Sequence, residues 1–169
     1  MALGLMRATN SARVIERLFL RSQKNEDLSG QLSLALGLMH AVDQKTSLVN
    51  VLVDPDTAPV LRVEVALALK VMGATVDPTE LCDLLEDSRI LEKRQSAAAA
   101  LGWVGGRTAM VHLLSALNDE TAPERLRAEC ARSLSYLTML NPRSSRAQLA
   151  RHANYLIPND IAALVLGSL

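Results

Sequence analysis

The sequence predicts an all-α fold built as a repeat solenoid, and three observations support that prediction. A short apolar motif recurs at a nearly constant spacing, each interval holds two amphipathic stretches, and the composition is aliphatic rather than aromatic. Of the 169 residues, 49% are hydrophobic and only 2% are aromatic. A core of leucine, alanine, valine and methionine suits close helix packing, because small side chains let helices approach one another.

The recurring motif is Ala-Leu-Gly-Leu-Met. It stands at residues 2–6 and again, letter for letter, at residues 35–39. Looser copies keep the same frame to the end of the chain. The anchor leucines of the frame, 32 or 33 residues apart, are Leu3, Leu36, Leu69, Leu101, Leu134 and Leu166. A register that holds across the whole chain predicts repeated structural units rather than chance clustering.

Each interval contains two stretches whose apolar residues fall at helical spacing. The predicted first helices cover residues 11–22, 45–53, 78–86, 108–117 and 146–155. The predicted second helices cover residues 27–39, 59–72, 90–104, 122–138 and 159–169. Gly37, Gly73 and Gly105 stand where helices are expected to stop. Thr121, with proline and glutamate following it, predicts a capping box.

Charged residues follow the same frame inside the predicted helix pairs. An arginine stands seven residues before three of the anchors, at Arg62, Arg94 and Arg127. An acidic residue stands eight residues before each of those arginines, at Asp54, Glu86 and Asp119. Such strict register favours a structural role over a catalytic one. Scattered surface charges, which pair weakly, are the alternative.

With its Ala-Leu-Gly anchors and the Leu-Arg pairs before them, the chain resembles the HEAT-like repeat family of armadillo-like helical proteins. The short repeats named after phycobilisome lyases are the most similar type, and the resemblance covers essentially all of the sequence. It implies a right-handed superhelix of about five antiparallel helix pairs, with the second helices lining the concave side. It also implies that the acids and arginines of successive repeats pair in a ladder between layers.

We interpret residues 1–169 as a single solenoid domain that is a segment of a longer repeat array, or that buries its ends against another subunit. The chain starts in the middle of a repeat, and its last helix carries apolar residues on more than one side. Because each repeat leaves an apolar face for the next one to cover, these ends are expected to self-associate.

The sequence shows no constellation that predicts catalysis, metal binding or a cofactor. The histidines His40, His112 and His152 are scattered, and no His-Glu dipeptide occurs. HEAT-like deoxyhypusine hydroxylases hold iron with such dipeptides, so that activity is set aside. Two unclustered cysteines form neither a disulfide framework nor a zinc site. We expect a non-enzymatic protein, and the lack of a signal peptide or membrane span in this segment favours the cytoplasm.

The expected function is a binding or scaffold module that contacts a protein partner through its concave surface. The residues considered for partner contact are Trp103 and Tyr136 and the arginines Arg125 and Arg132. The two aromatic residues share one column of the repeat, and core packing between layers is the favoured role of such a column. One alternative is an accessory protein similar to the phycobilin lyases. Another is nucleic-acid binding through the arginine-rich C-terminal part, which the balance of 18 basic and 18 acidic residues disfavours.

Overall fold

A computed structural model of the chain describes residues 11–140, and side chains as far as residue 139. The chain divides into two compact units, Met1–Leu137 and Thr138–Leu169. Nearly all described residues belong to the first unit, and the second contributes only the end of one helix. The described part contains eight α-helices and no strand, which confirms the all-α prediction.

The helices are α1 (Ala12–Arg21), α2 (Glu26–Leu38), α3 (Lys45–Val53), α4 (Pro59–Met72), α5 (Thr79–Asp87), α6 (Leu91–Val104), α7 (Arg107–Asn118) and α8 (Glu124–Leu140). A single turn of 3-10 helix, Val42–Gln44, leads into α3. Every predicted helix that falls within the described residues is present, with its ends displaced by two residues at most. The predicted helices at 146–155 and 159–169 lie outside the described residues.

Polar side chains bond to backbone N–H groups at the start of two helices. The Asn25 side chain accepts a hydrogen bond from the backbone N–H of Leu28 at 3.2 Å, which caps α2. A carboxylate oxygen of Asp77 accepts from the backbone N–H of Thr79 at 3.0 Å at the start of α5. The capping box expected at Thr121 is not formed, because that hydroxyl donates to the Asp119 carboxylate at 2.6 Å. The helix begins after Pro123 instead.

The helix ends correct one expectation about glycine. Gly73 and Gly105 follow α4 and α6 with φ values of 76° and 79°, as stop signals should. Gly37, however, lies inside α2. The left-handed residue after α2 is His40, with φ 50°. It ends α2 with the same hydrogen-bond pattern that surrounds Gly73, so a histidine occupies a position where glycine is normally favoured.

The anchor leucines lie in the core, as the repeat frame predicts. Leu36, Leu69, Leu101 and Leu134 are between 0 and 4% exposed. Leu3 and Leu166 lie outside the described residues. The surrounding buried side chains are mostly aliphatic, and Phe19 is the one buried phenylalanine. The core is therefore closed by the close approach of helices rather than by large aromatic side chains.

Consecutive helices pack in pairs, α1 with α2, α3 with α4 and α5 with α6. The second helices also pack on one another, α2 on α4 and α4 on α6. Glycines permit the approach of α2 to α4 and that of α6 to α8. A Cβ atom added to Gly37 would lie 2.5 Å from the carbonyl oxygen of Ala68, and one added to Gly102 would lie 3.0 Å from the Cα of Ser133. Both glycines directly follow an anchor leucine.

Replacing either glycine with alanine tests this close approach. In an unobstructed helix the change stabilises by about 1 kcal/mol, because alanine has the higher helix propensity. Here we expect Gly37→Ala and Gly102→Ala to lower the free energy of unfolding by roughly 1–3 kcal/mol, since the new methyl group meets the neighbouring backbone. Urea titration measures the difference.

Lys70 supplies the matched control. It occupies the same position after its anchor, in α4, and it is exposed. We expect Lys70→Ala to change the stability by less than about 0.5 kcal/mol. Glycine variants as stable as the parent protein, or more stable, would show that the second helices do not approach as closely as described.

Candidate functional site

Three arginines at the same position of successive sequence repeats cap the helix that precedes each of them. The Nε–H group of each arginine donates to a carbonyl oxygen near the end of α3, α5 or α7. The bonds are Arg62 to Leu52 at 3.1 Å, Arg94 to Leu85 at 2.7 Å and Arg127 to Leu117 at 3.2 Å. The last carbonyls of a helix lack partners within it, and the helix dipole makes that end negative. A guanidinium is therefore favoured there.

Arg62 is the most enclosed of the three, with 0% of its surface exposed. Beyond Leu52, it donates to the main-chain carbonyl of Asp54 at 2.6 Å and to the hydroxyl of Ser96 at 2.7 Å. Burial lowers the pKa of the Arg62 guanidinium, and the charge of Asp54 opposes that shift. Because Ser96 belongs to α6, this one side chain joins the end of α3, the following loop and the next second helix.

The acids that share the frame do not form direct ion pairs with these arginines within the described residues. Asp54 accepts from the backbone N–H of Asp56, whereas Glu86 contacts Nδ1 of His112 at 2.6 Å. Asp119 accepts from the hydroxyl and backbone N–H of Thr121, and these bonds lower the pKa of its carboxyl, with Arg94 adding to the effect. The arginines therefore donate to main-chain carbonyls, while the charge of Asp54 acts on Arg62 and that of Arg94 on Asp119 without a direct ion pair, and the ladder between layers stays a prediction.

The second helices α4, α6 and α8 share a solvent-facing side that we call the second-helix face. It holds a shallow groove of about 400 Å³. The face comprises the groove residues Pro59, Val60, Val63, Glu92, Gln95, Ser96, Ala99, Glu129 and Arg132, together with Trp103 and Tyr136. Among the groove residues, the exposed large apolar side chain is Val60 of α4, which is 57% exposed. The groove therefore offers apolar contact from one helix and polar contact from the next two.

The two aromatic residues considered at the sequence level form a stacked pair. The ring centroids of Trp103 and Tyr136 are 4.9 Å apart, with an angle of 18° between the planes. Both residues are half-buried. Trp103 lies one helical turn beyond Ala99, and Tyr136 one turn beyond Arg132, so the stack extends the groove along both helices. This position serves the packing of α6 on α8 and also leaves aromatic surface open to solvent.

The two arginines considered for partner contact differ in their surroundings. Arg125 is exposed near the start of α8. Arg132 donates to the carboxylate of Glu129 at 2.8 Å within the same helix. Its side chain remains 60% exposed, whereas that of Glu129 is 15% exposed. The structure thus brings Arg132 into the groove with a carboxylate beside it, so the local positive charge is largely balanced.

Glu64 is a member of the repeat frame that sequence analysis did not single out. Glu64 stands at the same repeat position as Ser96 and Glu129, two residues after the arginine of its repeat. Its carboxylate lies directly against Gly30 of α2. One carboxylate oxygen is buried without a hydrogen-bond partner. Burial raises the pKa of Glu64, and the charges of Asp27 and Glu26 add to the shift. The signal that could have found it is Gly30, a glycine in mid-helix.

Neither cysteine belongs to the second-helix face. The thiols of Cys82 and Cys130 are buried elsewhere, and burial is the main cause that raises the pKa of each to about 11. Within residues 11–139 no group of three or more histidine, cysteine or acidic side chains is placed to hold a metal ion. None of the helices in that range has the length and apolar character needed to cross a membrane.

Comparison with protein-family models, with curated proteins and with solved structures gives no match for this chain.

Glu64 provides a test of the site's electrostatics. Its pKa in the folded chain lies above the ordinary value of 4.5, so between those two values the folded state binds more protons than the unfolded state. This contribution to stability consequently falls as the pH rises through that window. We expect Glu64→Gln to increase the free energy of unfolding at neutral pH, and the gain to shrink as the pH approaches 4.5.

The exposed Glu120, in the loop before α8, is the control for this substitution. We expect Glu120→Gln to change the free energy of unfolding by less than about 0.5 kcal/mol. Urea titrations of the three proteins across the pH range provide the comparison. If Glu64→Gln were destabilising at neutral pH, the carboxylate would have a favourable partner and the electrostatic description would be incorrect.

Proposed function

We propose that this chain is a non-catalytic binding module that holds a protein partner on its second-helix face. The proposal includes the solenoid arrangement that the HEAT-like resemblance implies, with second helices side by side on the concave side. Stacked repeats expose a long, continuous surface without needing a deep pocket, and repeat proteins commonly bind partners in that way. A shallow groove shared by several helices fits this mode of binding.

The observation that carries the proposal is the combination of apolar and aromatic surface on one side of α4, α6 and α8. Val60 of α4 is largely exposed, and the stacked rings of Trp103 on α6 and Tyr136 on α8 are half-buried. Aromatic side chains with apolar neighbours are enriched where proteins contact one another. Glu92, Gln95 and Arg132 provide polar groups around this surface.

The charges of the same face favour a protein partner over a nucleic acid. A phosphate backbone requires several cationic side chains that are free to approach it. In the groove, Arg132 is ion-paired with Glu129, and Glu92 contributes a further negative charge. A duplex laid along this groove would meet the carboxylates of Glu92 and Glu129 as well as Arg132.

The proposal also covers the ends of the described unit. On α1, Val14 and Leu18 are 57% and 47% exposed, and their spacing of four residues places them on one side of the helix. Such surface favours contact with another repeat or with a second copy of the chain. We accordingly propose that the module works within a longer repeat array or through self-association at its ends.

Two exposed valines allow a matched test of the binding face. Val60 lies in the groove and is 57% exposed, whereas Val111 lies on α7 outside the groove and is 53% exposed. Because neither side chain is in the core, Val60→Glu and Val111→Glu should each change the stability by about 0.5 kcal/mol or less. Nuclease-treated native-cell lysate is passed over the immobilised parent protein and both variants, and bound proteins are quantified by mass spectrometry.

We expect a specific protein set that binds the parent protein and Val111→Glu equally, and that Val60→Glu retains at least tenfold less. In Val60→Glu the new carboxylate would be buried in the contact with the partner, and the cost of removing that charge from water explains the loss of binding. Equal retention by all three proteins would refute a partner site on this face. A parallel passage of untreated lysate is the reference: proteins retained from it but not from the nuclease-treated lysate would point to nucleic acid and would likewise contradict the proposal.

A further inference from the structure

A second groove, of about 500 Å³, lies outside the second-helix face. One side of the groove is formed by the end of α3 and the loop after it. The other side is formed by α5 and the loop between α5 and α6. None of its lining residues belongs to the first groove. We call it the acidic groove, after the carboxylates on its α5 side.

The apolar part of the acidic groove comes from Val53, Leu84 and Ile90. Val53 and Leu84 are half-buried, and Ile90 is 49% exposed in the loop before α6. A large aliphatic side chain that is half exposed beside other apolar residues is not needed to close the core. This part of the groove can therefore accept one apolar side chain from another molecule.

Three carboxylates of α5 border that apolar part. Glu80, Asp83 and Asp87 are spaced by three and four residues, which places them on one side of the helix, and all three are exposed. None of them forms an ion pair within residues 11–139. Two cations line the same groove: Lys93 is paired with Asp56 at 3.2 Å, whereas Arg89, in the loop after α5, is exposed and forms no ion pair with these carboxylates within residues 11–139. The carboxylates thus keep their charge available to a ligand.

The negative potential extends beyond those three side chains. Residues 54–92 contain nine acidic groups and three basic ones, and one of the three, Arg62, is buried. The field also reaches Cys82 on α5, because Glu86, Asp83 and Asp77 add to burial in raising the pKa of that thiol to about 11. A cationic partner is therefore attracted to this side of the molecule.

We propose that the acidic groove binds a short basic peptide segment of a partner protein, with one large aliphatic side chain seated against Ile90 and flanking lysine or arginine residues on the α5 carboxylates. The apolar residues of the groove lie beside the unpaired carboxylates. The apolar part and the carboxylates therefore contact neighbouring residues of one peptide. Charge complementarity of this kind selects the partner and orients it. The site is separate from the second-helix face and gives the module a second point of contact.

Fluorescence anisotropy with a labelled peptide tests the proposal, and the probe is a short sequence in which arginines flank a single isoleucine. We expect saturable binding that weakens as salt is added, because exposed charge pairs are screened. The double variant Asp83→Asn, Asp87→Asn should weaken binding by about three- to tenfold, as two exposed ion pairs are lost. Replacing the probe's isoleucine with serine, or Ile90 with serine, should weaken it as well.

Two controls make the result specific. The double variant Glu26→Gln, Asp27→Asn removes the same charge from exposed positions at the start of α2, and it should leave the affinity unchanged. Val60→Glu should also leave it unchanged, which separates this site from the second-helix face. Three outcomes would overturn the proposal. They are no binding at a millimolar concentration of the probe, equal binding of a probe that carries glutamates in place of the arginines, and an equal loss of affinity in both double variants. Loss of self-association in the α5 variant would overturn it as well, since it would make a second copy the occupant.

Discussion

The burial of one positive charge organises the middle of this molecule. The Arg62 guanidinium has no exposed surface, and it is satisfied by the carbonyls of Leu52 and Asp54 and by the hydroxyl of Ser96. A buried charge without such partners would be very costly, so these groups must stay where the guanidinium needs them. The end of α3, the loop after it and α6 are thereby held together, and α4 carries the arginine itself.

Both proposed contact surfaces depend on that arrangement. The second-helix face requires α4 and α6 to lie side by side, and Ser96, which Arg62 holds, is itself a groove residue. The acidic groove borders the same α3–α4 loop from the other side, through Val53 and Pro55. The two surfaces differ in chemistry, since one combines valines and stacked rings with balanced charges, and the other combines an apolar floor with unpaired carboxylates. A module with both can contact a partner at two points.

The periodic frame of the sequence was sufficient to predict the helices and the buried anchors, because a repeated leucine reports directly on the repeated core. It could not say what each polar side chain meets. Gly37 was interpreted as a helix stop, yet it lies inside α2 where Ala68 leaves no room for a Cβ, and His40 takes the left-handed position. The frame aligned the arginines with acids, while the structure gives them helix-end carbonyls as hydrogen-bond partners. The grooves depend on neighbouring helices and have no local signature, and the Glu64 contact left one local signal, the mid-helix glycine Gly30.

The central claim is that Arg62 couples successive helix pairs through Ser96, and a double-mutant cycle measures that coupling directly. Free energies of unfolding are determined by urea titration for the parent protein, Arg62→Met, Ser96→Ala and the double variant. The account predicts a coupling energy of about 1–3 kcal/mol, as for a buried hydrogen bond to a charged group. Arg62→Met combined with Thr121→Ala, which shares no hydrogen bond with Arg62, should be additive within about 0.5 kcal/mol. Additivity of the Arg62 and Ser96 substitutions would contradict the account.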